Sequence, residues 1–203
     1  MKKGILINII LIVLICIIPN PKAKETMQSA SENIENVKTE ITSRSSNEVR
    51  TEKIKNIELN PESDLRILSN LNENDYNIML RGTKLEGLGG IFAKIETEYN
   101  INGLYMLGLA CLESDFGKSN FAIQRNNLVG WNAVDSNPNK ASYFKSKEEC
   151  LTFVSNKLKT NYLSENGCYF EGFTGRDIDK HYCTDKKHID KICNIVNKLI
   201  KKI

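Results

Sequence analysis

At 203 residues the chain is long enough for one ordinary core with short appendages, and hardly long enough for two. Its 28 Lys and Arg against 25 Asp and Glu leave a formal charge of +3. The lysines are spread along the chain, so no strong basic face points to nucleic acid, and the mild positive balance suits an anionic surface such as a cell wall.

The chain opens as a targeting segment. Met1-Lys2-Lys3 supplies positive charge, Gly4 to Ile18 is apolar apart from Asn8, and Pro19-Asn20-Pro21 ends the run. This run is shorter than the ~20 residues that span a bilayer comfortably, which favours a cleaved signal peptide over residues 1–23, cut after Ala23. A retained membrane tether through residues 5–18 is the alternative. Cys16 lacks the small preceding residues of a lipid-attachment site, since Val13-Leu14-Ile15 stands there. The other five cysteines, Cys111, Cys150, Cys168, Cys183 and Cys193, make no Cys-x-x-Cys pair, which supports neither a zinc knot nor a redox motif and favours small buried apolar residues.

Residues 24–61 turn to Glu, Lys, Asn, Ser and Thr, with too little apolar surface to offset chain entropy, and read as a polar linker or stalk. Ile34, Val37 and Ile41 fall at helical spacing within it. The folded domain is expected over residues 62–203. Asn72 predicts a cap for a short helix to Leu80, stopped at Gly82; Leu88, Ile91, Phe92, Ile95 and Tyr99 mark one face of a second helix, which ends at Asn100. Asn102 predicts the cap of a third, whose stripe Leu104, Leu107, Ala110 and Cys111 runs into Glu113 before Gly117 closes it. Leu128 to Phe144 is rich in Gly, Asn, Asp and Pro with interspersed aromatics, a pattern for a loop and small hairpin that would form the lip of a cleft. Ser146 with Glu149 reads as a capping box opening the next helix, a short helix fits Arg176 to His181, and the last starts at Asp185 and buries Ile189, Ile192, Val196 and Leu199. The sum is an α+β, mainly helical domain with one small β element.

One acid stands out. Breaking a glycosidic bond needs a carboxylic acid that delivers a proton to the departing sugar oxygen, and burial favours the neutral form of such an acid. Glu113 ends an apolar helix beside the turn Ser114-Asp115-Phe116-Gly117. Spacing alone does not separate it from the many glutamates that end helices on a surface.

The stretch Leu112-Glu113-Ser114-Asp115-Phe116-Gly117-Lys118-Ser119, then Ala122 and Asn126-Asn127-Leu128-Val129-Gly130, resembles the signature of the bacterial endo-β-N-acetylglucosaminidases of autolysins. Gly82 to Gly89, Tyr99 to Asn102, Ala133 to Pro138, Tyr162-Leu163, Tyr169 to Gly172 and Asp179 to Ile192 continue the resemblance in order, from about Asp64 to the C-terminus. The resemblance implies a lysozyme-like domain with a small β-hairpin lobe beside its cleft, which cuts peptidoglycan strands after N-acetylglucosamine with Glu113 as general acid. Tyr182 matches a cleft tyrosine that would orient the substrate acetamido group or steady positive charge at the anomeric carbon. Asp135 is the candidate second acid, equally readable as an Asx-turn before Asn137-Pro138; without it, the substrate's own acetamido oxygen could attack.

For sugar binding, Trp131, the only tryptophan, is expected to stack or wall the cleft, with Asn126 and Asn127 supplying amide groups, although Asn127 also fits a structural tie of its turn. Phe116 and Tyr162 complete the expected substrate contacts. Departures from the family pattern are apolar at Phe116 and Val129, where Trp and Phe are commoner; Cys183 replaces a usual alanine, and His188 stands where Trp is frequent. No acid or cysteine joins His181 and His188 in metal-ligand spacing, so neither metal nor cofactor is expected. The expected setting is exported and monomeric, with peptidoglycan as substrate. The competing readings are a muramidase or lytic transglycosylase of the same fold, or a wall-binding module without catalysis.

Overall fold

The computed structural model describes residues 32–41, 52, 54, 56–132 and 140–203. It comprises two units, Met1–Glu52 and Lys53–Ile203. In the first, residues 32–41 form a helix on which Ile34, Val37 and Ile41 are all exposed. The expected targeting segment lies outside the described residues. Among the described residues no helix is long and apolar enough to cross a membrane.

The second unit is mainly helical. Its described helices are α1 (Glu73–Leu80), α2 (Gly89–Tyr99), α3 (Gly103–Ser114), α4 (Asn120–Arg125), α5 (Lys147–Asn161), α6 (Gly175–Tyr182) and α7 (His188–Ile200). Several begin where local chemistry satisfies their open backbone N–H groups. Asn72 caps α1 in a capping box with Asp75, Ser146 accepts from Glu149 N to start α5, and Thr174 forms a capping box with Asp177 at α6. Gly82 adopts the left-handed backbone, φ +77°, and Asn100 ends α2 with φ +55°.

The core is built around α3, whose residues Gly103 to Cys111 are all buried. It packs on α7, α2 and α5, while α1 lies on α2 and α6 on α7. Gly108 brings α3 and α7 together: a Cβ there would stand 2.6 Å from Val196 Cγ2 and 2.7 Å from Ile192 Cγ2. Ile54 and Leu59 join this core, and Leu59 N donates to Asn197 Oδ1 at 3.0 Å. Cys111, Cys150 and Cys193 are buried free thiols, whereas Cys168 is exposed.

A buried carboxylate organises the N-terminal end of α3. Glu96, 3 % exposed, accepts from Ser69 N at 3.0 Å, Ser69 Oγ at 2.6 Å, Asn70 N at 3.0 Å, Tyr76 Oη at 3.0 Å and Gly103 N at 2.7 Å. Five donors compensate for removing the carboxylate from water.

Among the described residues no strand forms; the sole β feature is an antiparallel bridge between Asp64 and Thr174. Residues 133–139, the centre of the expected hairpin, lie outside the described residues. The flanks come together through Ser142 N to Trp131 O and Phe144 N to Arg125 O, each 2.9 Å, but as turn and bend rather than paired strands.

Candidate active site

Glu113 is delivered by α3. Asn102 caps the helix, accepting from Leu104 N at 3.0 Å and Tyr105 N at 3.3 Å, and its amide donates to Ile67 O at 2.7 Å. At the other end Asp115, Phe116 and Gly117 all take positive φ, +48°, +53° and +82°. Two of these are not glycine, an uncommon arrangement that neighbours must hold. Ser114, fully buried, does so: its hydroxyl accepts from Gly117 N at 2.7 Å and donates to Ala110 O, and its carbonyl accepts from Ser119 N at 2.8 Å. The turn swings the chain off the helix axis and leaves Glu113 at the edge of a groove.

The expected burial of Glu113 in apolar surroundings is corrected here. Its side chain is 30 % exposed, and its Oε1 accepts a 2.9 Å hydrogen bond from His188 Nε2. The apolar stripe of α3 faces the core, and Glu113 sits beside the stripe rather than in it.

His188, the first residue of α7, is 4 % exposed. Its Nδ1 lies 2.8 Å from Asp179 Oδ1, and the other Asp179 oxygen accepts from Ile189 N at 2.7 Å. Asp179 therefore serves both the ring and the N-terminal backbone of α7, where negative charge is favourable. Both ring nitrogens face carboxylate oxygens, an arrangement that the doubly protonated ring satisfies. Burial opposes that charge, but Asp179 and then Glu113 outweigh it and push the His188 pKa up to about 10. Tyr182 stacks on the ring, with centroids 5.6 Å apart and planes at 27°. Burial, and then the charge of Glu113, push the Tyr182 hydroxyl far above the ordinary phenol range, so it remains a neutral donor.

A groove of about 600 Å³ runs past Glu113, lined by Trp131, Tyr162 and Tyr182 together with Lys180, His181 and Thr184. Tyr162 meets Tyr182 at 6.1 Å and Tyr169 at 5.1 Å between centroids. Trp131 rests edge-on against Phe153, 5.2 Å away at 81°. Flat aromatic walls with polar groups between them suit a ring that presents apolar faces and hydroxyl or amide edges. Among the described residues no group of three His, Cys, Asp or Glu is placed to hold a metal.

Of the residues singled out in the sequence, Glu113, Trp131, Tyr162 and Tyr182 meet in this groove. Asn127 does not reach it as a ligand. It is 1 % exposed, its Oδ1 accepts from Trp131 N at 2.9 Å, and its amide donates to Trp131 O and Ser142 O. Both ends of the amide are thus engaged in holding the tryptophan's backbone. Asn126, left-handed at φ +52°, donates to Phe144 O at 2.9 Å and ties the same loop. Phe116 packs against the core and is absent from the groove lining. Asp135 lies outside the described residues. His188 and Asp179 were not anticipated as site residues, although His188 is one of only two histidines and His181 also lines the groove.

The family described as mannosyl-glycoprotein endo-beta-N-acetylglucosaminidase matches residues 89–201, more than half of the chain and the whole stretch that carries this groove. The chain belongs to this glucosaminidase family. Two Streptococcus pneumoniae proteins, from strains TIGR4 and R6, carry the name of endo-beta-N-acetylglucosaminidases and are each 30 % identical to it over 125 residues. The matched segment is 61 % of this chain but only 19 % and 18 % of those relatives, so the glucosaminidase chain spans less than a fifth of their length. Among solved structures, S. aureus autolysin E in complex with the muropeptide NAM-L-Ala-D-iGlu superposes with a TM-score of 0.58 at 20 % identity, covering 75 % of this chain and 77 % of that one. A catalytic mutant of autolysin E with the disaccharide NAG-NAM gives 0.56 at 19 % identity, covering 74 % and 77 %. At this identity the likeness establishes a shared fold.

Proposed function

We propose that this glucosaminidase is an exported peptidoglycan hydrolase that cuts the β-1,4 bond between N-acetylglucosamine and N-acetylmuramic acid, leaving a reducing N-acetylglucosamine. The observation that carries the reading is Glu113, a carboxyl group on the wall of a groove flanked by Trp131, Tyr162 and Tyr182. Family membership and the glycan complexes of autolysin E support the substrate class. Glu113 donates a proton to the bridging oxygen as the anomeric C–O bond breaks. Tyr182, a neutral phenol beside it, orients the acetamido group of the sugar. Attack at the anomeric carbon comes from that acetamido oxygen or from water activated by Asp135.

The same reading includes a lysozyme-like form for the domain. It places the domain outside the cytoplasmic membrane as a monomer, with residues 1–23 as signal or anchor and a polar stalk leading to the compact unit.

Mass analysis of purified peptidoglycan digested by the native protein and by Glu113→Gln tests it. Fragments ending in reducing N-acetylglucosamine, lost in Glu113→Gln, are expected. Reducing or anhydro N-acetylmuramic ends would assign a muramidase or a lytic transglycosylase, and equal lysis by both proteins would remove Glu113 from the chemistry.

A further inference from the structure

We propose that His188 is the positioning residue of the acid: backed by Asp179, it holds Glu113 by Oε1, presents Oε2 to the groove as the proton-bearing oxygen, and stabilises the carboxylate left behind. The proposal rests on the reading of Glu113 as the acid. Three observations carry it. The hydrogen bonds run in series from Asp179 Oδ1 through His188 to Glu113 Oε1, at 2.8 and 2.9 Å. His188 is buried while Glu113 opens to the groove, so the histidine is shielded from the substrate and acts only through its partner. Asp179 is itself fixed by Ile189 N, which ties the ring orientation to the first turn of α7.

Asp179 on α6 and Asp185 in the loop before α7 favour the cationic form of His188 before the reaction, Glu113 on α3 joins them as a charge once it has given up its proton, and Tyr182 covers one face. Lys191, on α7, acts on Glu113 from further off. The raised pKa of His188, about 10, belongs to the ring between two carboxylates, Asp179 and the Glu113 that proton transfer leaves behind.

In the reacting step the Glu113 Oε2–H bond breaks and the proton passes to the bridging oxygen. That oxygen takes the electron pair of the broken C–O bond. Glu113 becomes a carboxylate, and the Nε2–H of His188 is already in place on Oε1, so the new charge is met without reorganisation. Water completes the hydrolysis and returns a proton to Glu113, whether it attacks directly or opens an acetamido-derived ring. His188 keeps its proton throughout.

The test uses the full chain and two readouts. Nitrogen-15 spectra of the native protein should show both His188 ring nitrogens protonated at pH 7 and the proton leaving only well above pH 8; a neutral ring at pH 7 overturns the proposal. Turnover of purified glycan strands is then measured for native protein, His188→Gln, His188→Phe and Asp179→Asn, with the folded fraction fixed by thermal unfolding. Gln keeps one neutral donor and Phe keeps none, so kcat should fall in the order native, Gln, Phe by roughly 10-fold per step, with KM within about twofold. Asp179→Asn should fall between native and Phe. Native kcat in folded His188→Phe, or a loss confined to KM, overturns the proposal while leaving Glu113 as the acid. Should the Phe variant not fold, Gln and Asn decide on the same criteria. A native protein that cleaves no glycan overturns the acid reading and this proposal with it; the spectra then still report whether His188 is charged.

Discussion

Tyr182 lies over the His188 imidazole at 5.6 Å between centroids, so one side chain covers that buried ring and also lines the groove. Stacking a ring on a protonated imidazole adds cation–π attraction to the area buried. The two parts separate by mutation. Tyr182→Phe should keep the unfolding temperature within ~2 °C and lower kcat by about 10-fold. Tyr182→Ala should also lose about 0.5–1.5 kcal/mol from the ring pair alone, read by thermal denaturation. An unchanged kcat in Tyr182→Phe would take the hydroxyl out of the mechanism.

Trp131 and Asn127 divide a second task. Trp131→Ala should raise KM for glycan strands by about 10-fold while changing kcat little, because a stacking face is removed and the acid is not touched. Asn127→Ala should act through stability, costing about 1–3 kcal/mol in urea denaturation, since Trp131 N and two carbonyls lose a buried partner. If Trp131→Ala leaves KM unchanged, its ring belongs to the Phe153 contact rather than to the substrate.

Close packing of α3 on α7 should be as sensitive as any groove residue. Gly108→Ala is expected to cost about 1–3 kcal/mol, because the new methyl would overlap Val196 and Ile192. As α7 begins with His188, turnover should fall with it. Gly90→Ala is the control: its Cβ would meet only the flexible Glu73 carboxylate at 3.3 Å, so stability should stay within about 0.5 kcal/mol of native.

The pH dependence of stability follows from His188. Its folded pKa, about 10, lies above the ordinary 6.5, so the folded protein holds the proton more tightly than the unfolded chain. That contribution is complete below pH 6.5 and is lost as pH rises through 10. The gap in unfolding temperature between native protein and His188→Gln should therefore be widest below pH 6.5 and narrow steadily towards pH 10. A gap that widens with rising pH would contradict a charged histidine.

Features set by neighbouring residues were legible in the chain. Asn72, Asn102 and Ser146 cap helices through bonds spanning two or three residues, and the stripe from Leu104 to Cys111 reports its own burial. What depends on tertiary contact was not. His188 and Glu113 are separated by 75 positions and meet only because α3 packs on α7. The two asparagines beside Trp131 looked like sugar ligands because loop amides often are; here backbone groups of the same loop occupy them. Glu113 was read as sheltered because its helix is apolar, and that pattern does not register the left-handed run that turns the chain away at Asp115.

The carboxylate of Glu96 has a mechanical consequence for the opposite end of the domain. By gripping Gly103 N together with Ser69, Asn70 and Tyr76, it clamps the near end of α3, while Ser114 locks the far end. The rod between them cannot slide or tilt without breaking one of these anchorages, so Glu113 enters the groove from a fixed stretch of backbone.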